Sequence, residues 1–128
     1  MRLLLDSHAF VWWIADSDRL SARAYRLIAD ETHEIYVSAA TAWELATKCR
    51  LGNLPLPEEA AFDMAGTIVG QGFRELPIGV QEASLAGRLP GPHRDPFDRM
   101  LMAQAASHGL VLVSRDEVFD QYGVSRVW

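Results

Sequence analysis

Cysteine and long apolar runs are scarce in this 128-residue chain, and each shortage excludes a class of protein. Cys49 is the only cysteine, so the chain can build neither a disulfide framework nor a thiolate zinc site. No basic segment leads into an apolar signal core, and no apolar run is long enough to span a bilayer. We therefore expect a cytoplasmic protein.

Positive charge is also in short supply. The net charge is −5, and Lys48 is the only lysine. Passive adhesion to nucleic acid or to an anionic membrane is not expected of such a chain. An enzyme that acts on a polyanion would need a metal ion and local arginine side chains to supply positive charge at its site. Hydrophobic residues make up 49% of the chain, and its length suits one core, so we expect residues 1–128 to form a single domain.

The order of the apolar segments predicts an α/β fold. Strands are predicted at 2–5, 35–38, 73–76, 110–113 and 124–127, the last as an edge strand. The first of these is continuously apolar, which is typical of a central parallel strand covered on both faces. The right-handed crossover rule places helices on both sides of such a sheet. The expected architecture is a three-layer α/β/α sandwich with a central, mainly parallel sheet of four to five strands.

Capping residues mark the predicted helices between these strands. Ser7 is the predicted N-cap of a helix over 8–14, and Ser21 that of a helix over 22–30. A turn at Pro55 and Pro57 precedes a single helix that runs to about Gly70. The other helices are predicted at 41–51, 80–89 and 96–108, with one further helical turn at 117–121.

Four acidic residues lie where predicted strands give way to loops or helices: Asp6, Glu44, Asp98 and Asp116. In an open parallel sheet, ligands bind beyond the carboxyl ends of the strands. Two carboxylates about 5 Å apart repel by roughly 3 kcal/mol at an effective dielectric constant near 20, so a cation or protons must relieve the cluster. Oxygen ligands without a His or Cys partner suit Mg²⁺ or Mn²⁺. The pattern predicts a metal-dependent site for phosphoryl transfer or hydrolysis.

Two aspartates compete for one position in this set. Asp95 and Asp98 both lie at the start of the helix over 96–108, where either could complement the helix dipole. We favour Asp98 as the metal ligand and Asp95, which precedes Pro96, as the helix cap. Asp6 and Asp116, each taken alone, would be ordinary cap or turn residues, so the prediction depends on all four acting together.

Histidine and tryptophan residues carry weaker signals. His8, His33, His93 and His108 share no metal-binding motif, although His93 lies where it could touch a substrate. Trp12 and Trp13 are adjacent, so a helix cannot bury both on one face. We expect one of the two in the core and the other at a protein contact.

Four stretches of the chain together resemble the PIN domain family, and within it the VapC-type toxins of bacterial toxin–antitoxin pairs. They are Leu4–His8, Val37–Leu45, His93–Ala105 and Val113–Asp116, and the His-Arg-Asp-Pro-Phe-Asp-Arg segment is the most specific piece. The resemblance implies an endoribonuclease that hydrolyses RNA phosphodiester bonds with Mg²⁺ or Mn²⁺. It also implies a homodimer and a cognate antitoxin whose tail covers the active site.

The resemblance assigns roles residue by residue. Asp6, Glu44, Asp98 and Asp116 match the catalytic, metal-binding acidic quartet, with Asp6 and Asp98 most directly on the metal. Ser114 matches a supporting hydroxyl. Ser7 stands where the family often has Thr, and is a second supporting residue.

Local cations provide the expected substrate contacts. The residues closest in sequence to the acidic set are Lys48, Arg94, Arg99 and Arg115, although Arg99 could instead pair within the protein. We expect the antitoxin to insert an Arg among the carboxylates and to pack an apolar stretch near Trp12 or Trp13.

Three other functions are alternatives to a metal-dependent endoribonuclease. The alternative kept open is a non-catalytic PIN-like module that binds RNA or protein. A receiver domain needs a lysine after a late strand, and Lys48 lies on an early helix. A haloacid-dehalogenase-like phosphatase needs a second Asp where this chain has His8.

Overall fold

A five-stranded parallel sheet forms the centre of the molecule, which a computed structural model describes over residues 1–53 and 56–128. Its strands are β1 (Arg2–Leu5), β2 (Glu34–Ser38), β3 (Arg74–Leu76), β4 (Val111–Val113) and β5 (Arg126–Val127). The α-helices are α1 (Ser7–Ile14), α2 (Ala22–Ala29), α3 (Ala39–Arg50), α4 (Glu58–Phe62), α5 (Met64–Gly70), α6 (Val80–Arg88) and α7 (Pro96–His108). A 3₁₀ helix covers Glu117–Tyr122. The predicted α/β architecture is confirmed.

The strands lie in the order β3-β2-β1-β4-β5, and each neighbouring pair is parallel. The chain therefore builds the sheet outward from β1 in one direction and then crosses back to add β4 and β5 on the other side. Leu5 pairs with Val37 on one neighbour and Val113 on the other, so three strands end at the same level. The strand order reverses at β1, which is where open α/β sheets bind ligands.

Alternate residues of β1 divide the core between the two faces of the sheet. Leu3 and Leu5 join Phe10, Trp12 and other side chains on one face, whereas Leu4 joins Leu101, Met102 and Phe119 on the other. All three leucines are fully buried. The continuous apolar run of β1 thus reflects burial on both faces, as predicted for a central parallel strand.

Several helices are capped by the residues that the sequence predicts. Ser21 accepts a hydrogen bond from the backbone of Ala24, and Asp95 accepts from the N–H groups of Phe97 and Asp98. Gly109 ends α7 with a φ of 64°, a left-handed conformation that favours glycine. The prediction that Asp95 caps this helix is confirmed.

Two local predictions were wrong. The N-cap of α1 is Asp6, which accepts from the backbone N–H of Ala9 at 2.8 Å, and Ser7 is the first helical residue. The single helix predicted to end at Gly70 is two helices, because Asp63 has a φ of −129° and its side chain caps α5. An Asp inside a helical stretch competes for backbone N–H groups, and here it begins a new helix.

Pro55 of the predicted turn lies outside the described residues. No helix within the described ranges is long and apolar enough to cross a membrane.

Candidate active site

Asp6 lies at the centre of the sheet's carboxyl edge. It directly follows β1, and its backbone N–H donates to the carbonyl of Val113 on β4 at 3.1 Å. Only 7% of the residue is exposed. Burial raises the pKa of the Asp6 carboxyl to about 6, although hydrogen bonds from Ser114 and from the backbone of Ala9 act in the opposite direction. An acid buried at this edge is costly to ionise without a nearby cation.

The charge of Asp98 is felt at Asp6 in the folded chain. It is in the first turn of α7, and its charge adds to the effect of burial in raising the pKa of Asp6. The pKa of Asp98 is itself raised, chiefly by burial, with contributions from Asp95 and Glu44. Its carboxylate is hydrogen-bonded to Nε2 of His93 at 2.8 Å. His93 lies five residues earlier, in the loop before Pro96, so the tip of that loop folds back onto the helix start.

Glu44 projects from the middle of α3 and is held by two partners. The hydroxyl of Ser7 donates to one carboxylate oxygen, and Nζ of Lys48 pairs with the other at 2.9 Å. Ser7 adjoins Asp6 in sequence, so this contact brings Glu44 toward the end of β1. The negative charge of Glu44 contributes to the raised pKa of Asp98, after burial and Asp95.

Asp116 reaches the same edge but is oriented differently. It follows β4, it is exposed, and its carboxylate caps the 3₁₀ helix by accepting from the backbone of Val118 at 3.0 Å. Its own N–H donates to Oγ of the fully buried Ser114 at 3.0 Å. Ser114 therefore connects Asp116 to Asp6. The charge of Asp98 thus acts on Asp6 and that of Glu44 acts on Asp98, whereas the carboxylate of Asp116 caps the 3₁₀ helix at the rim of the edge.

The donor chemistry of this edge fits Mg²⁺ or Mn²⁺. Asp6, Glu44 and Asp98 offer only carboxylate oxygens, which these ions prefer, and a divalent charge would offset the cost of ionising a buried Asp6. Among the described residues, however, no three His, Cys, Asp or Glu side chains converge closely enough to hold a metal ion. Two of the carboxylates have partners within the protein, since Glu44 pairs with Lys48 and Asp98 with His93.

The four cations predicted to contact phosphate differ in their surroundings. Arg94 and Arg115 are exposed, and Lys48 is paired with Glu44. Each guanidinium nitrogen of Arg99 donates to a backbone carbonyl, those of Ala86, His93 and Leu89. Arg99 joins α6, the loop after it and α7, which favours the alternative of a role within the protein over a contact with substrate. It pairs within the protein, although with carbonyl groups rather than with an acid.

A buried polar network behind the site was not predicted. Gln104 on α7 is fully buried, accepts a hydrogen bond from Ser38 at the start of α3, and donates to Glu82 on α6 at 3.3 Å. Glu82 also pairs with His108. Hydrogen bonds from His108, Gly79 and Gln104 outweigh burial and lower the pKa of Glu82.

This network links the two helices that carry Glu44 and Asp98. The signal available in the sequence was the lone amide of Gln104 in an otherwise apolar stretch, Leu101–Ala105. Buried polar groups are almost always hydrogen-bonded, so such an amide implies partners elsewhere in the chain.

The two adjacent tryptophans are both engaged within the fold. Trp12 is 7% exposed and belongs to the core, which confirms that one of the pair is buried. Trp13 is half-buried, and its Nε1 donates to Gln71 at 3.0 Å. The exposed tryptophan is Trp43, at 64%, which packs edge-on against Phe97. A partner contact at Trp12 or Trp13 stays a prediction.

Comparison with known proteins identifies the class to which this fold and edge belong. The family model of the PIN domain matches residues 3–124. The chain is also 32% identical over 121 residues to Ribonuclease VapC22 of Mycobacterium tuberculosis, covering 89% of this chain and 86% of that protein. The chain belongs to the PIN domain family.

Solved structures share the fold across the whole chain. VapBC2 from Rickettsia felis, bound to a DNA fragment from its promoter, superposes with a TM-score of 0.72 at 14% identity, covering 100% of this chain and 99% of that one. VapC20 of Mycobacterium tuberculosis, described as a sarcin-ricin loop cleaving toxin, gives 0.71 at 17% identity, covering 98% of each chain. At these identities the likeness concerns the fold alone.

Proposed function

We propose that this protein is a metal-dependent endoribonuclease and the toxin of a type II toxin–antitoxin pair. The observation that carries the proposal is the buried Asp6 at the point where the strand order reverses, with the charge of Asp98 acting on it. A fold that buries an acid within the influence of a second acid needs a compensating cation, and this edge is where α/β sheets bind ligands. The 32% identity to a protein named as a ribonuclease supports the same activity.

Asp6 and Asp98 would hold Mg²⁺ or Mn²⁺, with Glu44 and Asp116 completing the set. When bound, the metal supplies a water of lowered pKa and neutralises charge that develops on the phosphate. Ser114 keeps Asp6 oriented through its hydrogen bond, and Ser7 does the same for Glu44. Lys48 holds the second oxygen of Glu44.

Substrate binding would depend on local charge, because the protein carries a net charge of −5. Arg94 and Arg115 are exposed near the acidic edge and are suited to contact phosphate groups of RNA. Their contacts would weaken as ionic strength rises, since phosphate binding releases counterions.

The proposed partners are a cognate antitoxin and a second copy of this chain. Solved relatives of this fold include VapBC and FitAB complexes, in which the toxin is named together with its antitoxin. An acidic edge of this kind would attract an arginine from a partner segment, and that arginine would compete with metal for the carboxylates.

The decisive test is RNA cleavage by Asp98→Asn with Asp95→Asn as the matched control. Asn at position 98 removes the charge of the proposed ligand, whereas Asn at position 95 preserves the helix cap. We expect Asp98→Asn to fold, to bind RNA and to lose roughly 100-fold or more in Mg²⁺-dependent kcat. We expect the control to cleave at close to the wild-type rate. Cleavage by Asp98→Asn at the wild-type rate would show that the site is elsewhere.

One observation favours the alternative of a non-catalytic module. Among the described residues the carboxylates do not converge as a closed metal site, and Glu44 and Asp98 are paired with Lys48 and His93. A module of that kind would bind RNA or a protein partner and would show no RNA cleavage at any Mg²⁺ or Mn²⁺ concentration. Measuring RNA cleavage over a range of Mg²⁺ and Mn²⁺ concentrations therefore separates the two functions.

A further inference from the structure

Two aromatic side chains of α1 are stacked on each other near the acidic edge. His8 is exposed and follows Asp6 by two residues. Its ring is stacked on that of Trp12, one helical turn later, with 5.3 Å between centroids and an interplanar angle of 12°. An exposed imidazole on a helix surface would ordinarily sample several rotamers, whereas stacking on a buried neighbour favours one plane for this ring.

Trp12 is held rigidly beneath this stack. The side chain is in the core, and Trp128 packs against its ring edge-on at 5.8 Å. The guanidinium of Arg115 lies 4.8 Å from the centre of the same ring. Arg115 directly precedes Asp116 and is exposed. One buried indole therefore positions both an exposed aromatic ring and an exposed cation, each within two residues of a proposed acidic ligand.

This combination is the one that proteins use to bind single-stranded nucleic acid. Unpaired bases stack on aromatic rings, His included, and arginine supplies the phosphate contact. A preorganised ring loses little conformational entropy when a base stacks on it. A duplex does not offer an unstacked base, so the arrangement discriminates by strandedness. It is tolerant of sequence because every base has a π-face.

We propose that His8 and Arg115, both positioned by Trp12, form a subsite for one unpaired nucleotide of RNA next to the carboxylates. The base stacks on the open face of the His8 imidazole, and Arg115 contacts a phosphate. The proposal rests on the proposed ribonuclease function and names the residues that would hold one nucleotide of its substrate. His8 is a positioning residue for the substrate and takes no part in the chemistry.

The test compares His8→Ala with His8→Phe on a single-stranded RNA oligonucleotide that the wild type cleaves. Phe keeps a flat ring stacked on Trp12, whereas Ala removes it. We expect His8→Ala to raise KM about tenfold with little change in kcat, and His8→Phe to restore most of the loss. A purely structural role for the ring would not produce this division between KM and kcat. Thermal melting of each variant checks that the fold is retained.

A second, independent test compares the variant Arg115→Ala with the control Arg23→Ala. Both arginines are exposed, but Arg23 lies on α2 and adjoins no proposed ligand in the sequence. We expect Arg115→Ala to raise KM and to flatten the dependence of KM on salt, and Arg23→Ala to do neither. Replacing single nucleotides of the oligonucleotide by abasic ones should weaken binding at one position in wild type, and that effect should vanish in His8→Ala.

The outcomes separate this inference from the proposed function. If wild type cleaves RNA and His8→Ala retains its KM, the subsite does not exist and the ribonuclease function stands. If duplex RNA binds as well as single-stranded RNA, the stacking model is wrong. If His8→Ala weakens binding of the antitoxin and leaves RNA binding unchanged, the surface is a protein contact and the inference fails. If wild type shows no RNA cleavage or binding, the proposed function and the subsite fail together.

Discussion

Replacing Asp6 by Asn should make the metal-free protein more stable at neutral pH, although Asp6 is proposed as a metal ligand. The Asp6 carboxyl has its pKa raised from 3.8 to about 6 by burial, so ionising it at pH 7 costs about 3 kcal/mol of folding free energy. Asn removes that cost and keeps the N-cap, because its side-chain oxygen can still accept from Ala9.

The gain will be smaller than the full cost of ionisation. The amide of Asn brings N–H groups into a buried site, and a donor left without a partner there costs about 1–2 kcal/mol. We therefore expect a net stabilisation of about 1–2 kcal/mol, or a rise in Tm of roughly 3–8 °C for a domain of this size. The matched control is Asp63→Asn, which also replaces an N-cap aspartate but at an exposed position. That variant should melt like the wild type.

The stability difference between the wild type and Asp6→Asn should depend on pH, and its direction follows from the raised pKa of Asp6. The folded state of the wild type holds the Asp6 proton up to about pH 6, whereas the unfolded state releases it near 3.8. Folding therefore takes up a proton between these values, and this residue's contribution to stability falls as pH rises through that window and is level above it. The Asp6→Asn protein should lack this fall, so the two proteins should differ little near pH 4 and most above pH 6.5.

Urea denaturation in EDTA across pH 4–8 measures this directly. Adding Mg²⁺ at pH 7.5 should then stabilise the wild type more than the Asp6→Asn variant, because only the former retains the full set of carboxylates. The reasoning is refuted if the variant is less stable than the wild type at pH 7.5 without metal. It is also refuted if the free-energy difference between them does not grow as pH rises from 4 to 7.

Two further changes test the supports of the site. Gln104→Leu leaves the buried Ser38 and Glu82 without their partner on α7 and should lower the free energy of unfolding by about 2 kcal/mol; an unchanged urea midpoint would show that the network is dispensable. Gly109→Ala forces a side chain into a left-handed conformation and should cost about 1 kcal/mol, whereas Gly87→Ala, inside α6 with open space around it, should be neutral or stabilising. Equal effects of the two alanines would contradict the conformational argument.

Local patterns in the chain were sufficient to predict the fold class. The apolar run of β1, the Ser21 and Asp95 caps and the glycine after α7 each act within a few residues, so their effects can be inferred from neighbours in sequence. The alternation of strands and helices then led to a parallel sheet, and the acidic residues after its strands led to the candidate edge. The resemblance to the PIN domain family agreed with that fold, and the family match confirmed the resemblance.

Contacts between distant residues could not be inferred in this way. The order β3-β2-β1-β4-β5 depends on which strands pair, and each pairing is a competition among segments far apart in the chain. The hydrogen-bond partners of Gln104 and Arg99 could not be predicted either, because a side chain takes whichever partner the packed helices bring within reach. Only in the folded molecule is Arg99 committed to backbone carbonyls and Asp98 to His93, because the burial that raises the cost of an unpaired polar group arises from tertiary packing.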